Sequence, residues 1–162
     1  MSKVVTMSTE DTTAAWAESI IREVSGCQHL TVGLISGARY GNDARCVNQL
    51  VSVLASRAKA AGEEYRLLCV RLAVMSNEKL EQPADQTESV PPAMRSPLGP
   101  WSEVTIPVPV GARASWSLLQ IPTWLSAWKD AFRLILVDVG PIHLVPSRIV
   151  GRLCDVNYLL LG

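Results

Sequence analysis

The sequence predicts an α/β fold, a mostly parallel sheet of about five strands flanked by helices in three layers. Three observations carry this. Leu30, Val32, Leu34 and Ile35, and the run Leu134–Val137 after Arg133, make strongly apolar segments, as in strands covered on both faces. Between such runs, Val47, Leu50, Val51, Leu54 and Ala58 recur at helical spacing. Strand-like and helix-like segments alternate along the chain, the pattern of a parallel sheet with crossover helices.

A chain of 162 residues, 48% of them hydrophobic, has room for one domain with a real core. Fifteen basic residues balance fifteen acidic ones, so no overall field favours nucleic acid or an anionic membrane. No apolar run has the length of a signal peptide or a membrane span, which excludes direct membrane insertion and predicts a cytoplasmic protein.

Residues 1–9 read as a flexible polar tail and residues 10–162 as a single domain. Ser8, Thr9 or Asp11 can cap a first helix whose apolar face is Ala15, Trp16, Ile20, Ile21 and Val24, ending at Ser25-Gly26. The first strand spans about 30–36, and Gly62 suits the cap after the second helix. Tyr65–Leu72 reads as the next strand. Five prolines interrupt a polar stretch at about 76–102, predicting a mobile loop. Glu103–Val108 alternates like a short strand, with prolines that favour a sheet edge. A helix follows, in one piece or split at Pro122, then an apolar strand ending at Asp138. A helix at about 147–153 and a final strand from Val156 complete the order. That strand lacks the helix that usually follows, which suits a truncated chain or a structural domain of a larger assembly.

Cys27, Cys46, Cys69 and Cys154 are widely spaced and read as reduced, mostly buried thiols. Cys27 and His29 could form half a metal site, but no second pair stands at ligand spacing and His143 is alone, so no metal is expected. Trp116, Trp124 and Trp128 form an aromatic cluster, either core or a candidate interface for a partner or a second copy.

The turn after the first strand runs Ser36-Gly37-Ala38-Arg39-Tyr40-Gly41-Asn42-Asp43-Ala44-Arg45-Cys46. Strand, glycine-containing turn and helix are the layout of a phosphate-binding loop, where backbone N–H groups and the helix N-terminus attract anions. This run resembles the P-loop of the bacterial tyrosine kinases of exopolysaccharide synthesis, which are similar to the septum-site and partition ATPases. Their loop has the form T-S-A-x-P-G-E-G-K-S-T. Gly41 matches its first motif glycine, while Asp43 replaces the second. Ala44 stands in the lysine's place, and Arg45 and Cys46 in those of the hydroxyl residues. Leu134–Pro141 resembles the family's apolar strand followed by D-T-P-P, keeping Asp138 and the second proline. The family's Asp-x-Asp has no counterpart in Cys69-Val70-Arg71.

The resemblance covers roughly residues 10–162. It implies a P-loop-NTPase-like, Rossmann-like sheet with Asp138 as the Walker B-like carboxylate. It also implies a setting in polysaccharide export, with a membrane-anchored chain-length protein or an active homologue as partner. The departures imply an inactive relative with no cofactor. A phosphate-bridging lysine supplies charge-assisted hydrogen bonds of about 1.5–3 kcal/mol each, so losing two weakens binding roughly 100-fold or more. Asp43 brings a negative charge towards the phosphate, and without the hydroxyl residue Mg²⁺ lacks its loop ligand. Two rescues are conceivable: Arg45 could turn inward to hold an anion, or Asp138 could bind a metal. The expected function is a protein-binding or regulatory module. The alternatives are a non-standard nucleotide or anion binder and a structural domain.

Overall fold

The computed structural model describes residues 3–8, 13–37, 43–60, 66–75, 89–109 and 116–161. Its elements in chain order are β1 (Lys3–Ser8), α1 (Thr13–Ser25), β2 (Leu30–Ser36), α2 (Asp43–Ala60), β3 (Leu67–Met75), β4 (Met94–Arg95), β5 (Ser102–Pro109), α3 (Trp116–Lys129), β6 (Leu134–Pro141), α4 (Val145–Gly151) and β7 (Val156–Leu161). The strands form one sheet in the order β1-β7-β2-β6-β3-β5-β4. Every neighbouring pair is parallel except β4 with β5. The α/β architecture is as expected, with two strands more than anticipated.

Alternation within the strands sorts the core into two layers. Leu30, Val32 and Leu34 of β2, Leu67 and Cys69 of β3, and Leu134 and Leu136 of β6 face α1 and α2. They meet Trp16, Ile20 and Val24 from α1, and Val47, Leu50, Val51 and Leu54 from α2. The intervening residues Leu68, Val70, Ile135, Val137 and Val139 face the other way, against Leu118, Ile121, Trp124, Leu125 and Trp128 of α3 and Val150 of α4. Each such side chain taken out of water stabilises the fold by about 1.5–3 kcal/mol. The central strands therefore carry apolar residues on both faces, which is why they read as strongly apolar segments.

Three expectations change, and one left open is decided. Lys3–Ser8, read as tail, is strand β1, because all six residues find ladder partners in β7 from Val156 to Leu161. The segment read as a loop at about 76–102 is ordered at its end. There β4 pairs with Ser102 and Glu103, and Trp101 is buried. Residues 76–88 lie outside the described residues, as do Tyr65 and Gly62. Helix α3 runs through Pro122 rather than splitting there. The lost backbone bond is offset by burial of five side chains on either side of it, while Pro122 itself is exposed. Finally, β6 does not end at Asp138 but continues to Pro141.

The prolines of β5 behave as a sheet edge requires. Pro107 and Pro109 stand two residues apart, so the donors they lack fall on one side of the strand. Both pair in register with β3, opposite Ala73 and Met75, and β4 reaches no further along β5 than Glu103.

Candidate functional site

The crossovers locate the site. From β2 the chain passes through α2 to β3, stepping over β6; from β6 it passes through α4 to β7, stepping over β2. The two connections leave adjacent strands in opposite directions, with α2 on one face of the sheet and α4 on the other. Open α/β sheets have their ligand crevice outside the carboxyl ends of such a strand pair. Here the pair is β2, ending at Ser36, and β6, ending at Pro141.

The rim of the crevice is pinned. Leu34 lies opposite Asp138, but Ile35 lies opposite Gly140 and Ser36 opposite Pro141, so β6 carries one extra residue. Gly140 accommodates the resulting bend at φ 77°, a conformation that disfavours other residues. The Ser147 hydroxyl donates to the Val139 carbonyl at 2.7 Å, and the Ile142 N–H donates to the Ser36 carbonyl at 3.0 Å.

The loop residues named from the sequence fall as follows. Ser36 is 2% exposed, and its hydroxyl has no hydrogen-bond partner among the described residues. Gly37 follows at half-burial, whereas Ala38–Asn42, Gly41 included, lie outside the described residues. Asp43 and Ala44 begin α2. Arg45 and Cys46 are exposed in its first turn, so an inward-turned Arg45 is not what the structure presents.

A different arginine stands on the α2 side of the sheet, midway along β3. Arg71 of β3 stands directly opposite Asp138 of β6, on the sheet face that α2 covers. Its Nη2 donates to Asn48 Oδ1 of α2 and lies 4.0 Å from Glu103 Oε1 of β5. That carboxylate is fixed in turn by the Ser96 hydroxyl and by Trp101 Nε1 at 2.9 Å. A hydrogen bond from the Leu98 N–H to Ser96 Oγ, 3.1 Å long, holds the donor in place. Arg71 was not among the residues singled out from the sequence. The signal was a lone charge in the otherwise apolar run Leu67–Leu72, but a lone charge does not announce its partners.

Cys69 lies beneath this network. Burial pushes its thiol up to about 12, with Asp138 and Glu103 adding and Arg71 opposing. A thiol so far from ionisation is not a nucleophile near neutrality. Cys154, packed under α4, is also raised to about 12, chiefly by burial. The expectation of mostly buried thiols holds for these two, whereas Cys27 and Cys46 are exposed. Cys27 and His29 are both exposed at the amino end of β2, away from the crevice. Among the described residues no three His, Cys, Asp or Glu side chains gather as a metal set.

The tryptophans belong to the core. Trp124 is 3% and Trp128 4% exposed, packed ring against tilted ring with centroids 6.4 Å apart. They cannot serve as an open interface, because they fill the layer between α3 and the sheet. The side chain of Trp116 lies outside the described residues. No helix among the described residues is long and apolar enough to cross a membrane. Comparison with family models, with curated proteins and with solved structures returned no match to this chain.

Proposed function

We propose that this domain is a degenerate P-loop-type module that has lost phosphoryl transfer and acts by binding protein. The observation that carries the reading is the register of Arg71 with Asp138. The one carboxylate retained from the resemblance is paired in backbone register with a cationic residue, beside the position where a phosphoryl-transfer site seats Mg²⁺. The sequence adds Ala44 for the lysine and Asp43 for the second glycine. The setting implied by the resemblance is the cytoplasmic side of polysaccharide export, with a membrane-anchored chain-length protein, an active homologue or a second copy as partner.

Calorimetric titration with ATP and ADP, with and without Mg²⁺, tests the loss of chemistry. No heat up to millimolar ligand is expected, and micromolar binding would sink the reading. Sedimentation of the purified chain alone and with the cytoplasmic segment of a chain-length protein tests the binding role. A monomer that ignores both removes its support.

One observation favours a second reading, an anion binder: the buried Ser36 hydroxyl at the end of β2, without a hydrogen-bond partner among the described residues. On that reading pyrophosphate binds and Ser36→Ala abolishes binding. Arg45→Ala, altering an exposed side chain, leaves it unchanged.

A further inference from the structure

The two edges of the sheet are not alike. At one end β4 covers only Ser102 and Glu103 of β5. The Ser96 N–H donates to the Trp101 carbonyl at 2.8 Å, so from Trp101 onward the odd-numbered residues turn their backbone groups outward. Pro107 and Pro109 fall in that row, which leaves Thr105 as the one outward N–H of β5 beyond β4. A further strand finds no ladder there. At the other end stands β1, paired with β7 on one side and, among the described residues, with no strand on the other. It contains no proline, so every second residue along its outer side offers both an N–H and a C=O. All six of its residues keep unbroken register with β7, which holds this outer row in line. A row of unpaired ladder groups is a template for another strand.

We propose that the outer edge of β1 is an interface for a second copy of this chain, joined by antiparallel β1–β1 pairing about a twofold axis. As the partner contact of the binding module proposed above, it rests on that reading for its role, while its geometry is independent of the loop. Two observations select this occupant. First, the blunted edge of β5 excludes head-to-tail addition of one copy's β1 to another's β5. The symmetric contact is then the one that extends the sheet, and it closes after two copies. Second, the sequence of β1 suits its own image. A twofold axis perpendicular to the sheet pairs residues that share a face, so their numbers sum to an even value. A sum of ten places Lys3 opposite Met7, Val4 opposite Thr6 and Val5 opposite Val5. Every residue of the strand except Ser8 is then paired, β-branched residues meet at the centre, and the strand's one charge is kept from its own copy.

The test uses the full chain. Sedimentation equilibrium reads its mass, and amide exchange by mass spectrometry is followed at roughly 1 μM and roughly 500 μM. Five paired residues a side make a small contact, so a dimer with a dissociation constant on the order of 10–100 μM is expected. Exchange over Lys3–Ser8 should slow about tenfold at the higher concentration, while β5 stays unchanged. In a Cys27→Ser/Cys46→Ser background, which removes the two exposed thiols, Val5→Cys should form a disulfide-linked dimer under mild oxidation. Thr6→Cys, displaced from the axis, should not.

A folded chain that stays monomeric throughout overturns the proposal. So does a dimer whose β1 exchange ignores concentration, and neither result needs a variant to fold. Thr6→Cys cross-linking as readily as Val5→Cys overturns the register. Protection of β1 that appears only with the cytoplasmic segment of a chain-length protein assigns the edge to a different chain. That outcome overturns the second copy as occupant and leaves the proposed function standing. Micromolar nucleotide binding by a β1-linked dimer does the reverse.

Discussion

Arg71 and Asp138 face each other across the parallel ladder of β3 and β6, one strand from the loop that the sequence makes prominent. Register is not contact: the guanidinium itself is directed to Asn48 Oδ1 of α2 and lies 4.0 Å from Glu103 Oε1 of β5. The Arg71 side chain is 21% exposed and its Glu103 partner 24%, so solvent screens the pairing only in part.

Removing the guanidinium should therefore cost more than removing a surface charge. Arg71→Ala is expected to lower stability by about 1–3 kcal/mol, less than a fully buried pair because water still reaches the site. Arg71→Lys should recover some of this, but not the hydrogen bond to Asn48 in its present geometry. Urea unfolding of the three proteins checks the order.

Gly33 is a close-approach position. A Cβ there would lie 2.0 Å from Asn157 Oδ1 and 3.1 Å from Cys154 Sγ. Asn157 has little freedom to withdraw, because its Nδ2 donates to the Gly151 carbonyl at 2.8 Å. Gly33→Ala is expected to cost about 1–3 kcal/mol by overpacking. In the Gly33→Ala/Asn157→Ala double variant the two losses should sum to more than the observed one, since the clash disappears. A double-mutant cycle in denaturant measures that difference.

The thiols should separate cleanly. In the folded chain Cys27 and Cys46 react with a chromogenic disulfide reagent while Cys69 and Cys154 do not; in denaturant all four react. Equal reactivity of all four in the native state would contradict the burial described above.

The same two buried thiols make stability depend on alkaline pH. Their folded values near 12 lie above the ordinary 9.0, so the folded state holds these protons more tightly than the unfolded chain. The contribution is complete below pH 9 and is lost as pH rises from there towards 12. Each thiol should cost about 1 kcal/mol for the first unit above 9, where the unfolded thiol is half to mostly ionised. Urea midpoints between pH 8 and pH 10.5 should fall accordingly, and less steeply in a Cys69→Ala/Cys154→Ala chain.

Helix α3 distinguishes core from surface. Trp128→Ala should destabilise by about 3–5 kcal/mol, whereas Leu119→Asp, at a residue 65% exposed, should change stability by roughly 0.5 kcal/mol or less. Thermal unfolding of both variants decides the point.

How much of this was legible in the chain follows from the range of each interaction. Strands β2 and β6 and helix α2 announce themselves, because strongly apolar segments and helical periodicity are properties of neighbouring residues. The break at Ser36-Gly37 before α2 is legible for the same reason, as are the edge-forming prolines of β5. Helix α3 is half legible. It is apolar on nearly every side, so its composition predicts burial without saying which tryptophans are covered.

The amino-acid sequence by itself determined the α/β class, the order of most elements, and that the turn after β2 contains no lysine. Tertiary structure alone decided that Lys3–Ser8 is a strand, since its partners lie at the far end of the chain in β7. It also decided that Arg71, not Arg45, is the arginine that ties α2 to the sheet, through Asn48. Arg45 is next to the loop in sequence but lies on the exposed side of α2. Arg71 meets Asp138 only because β6 inserts between β2 and β3. Local pattern specifies which face of a strand is apolar, but the neighbour across the ladder is set by sheet order. That order is fixed by burying both faces of the whole sheet at once, which no short window of sequence contains.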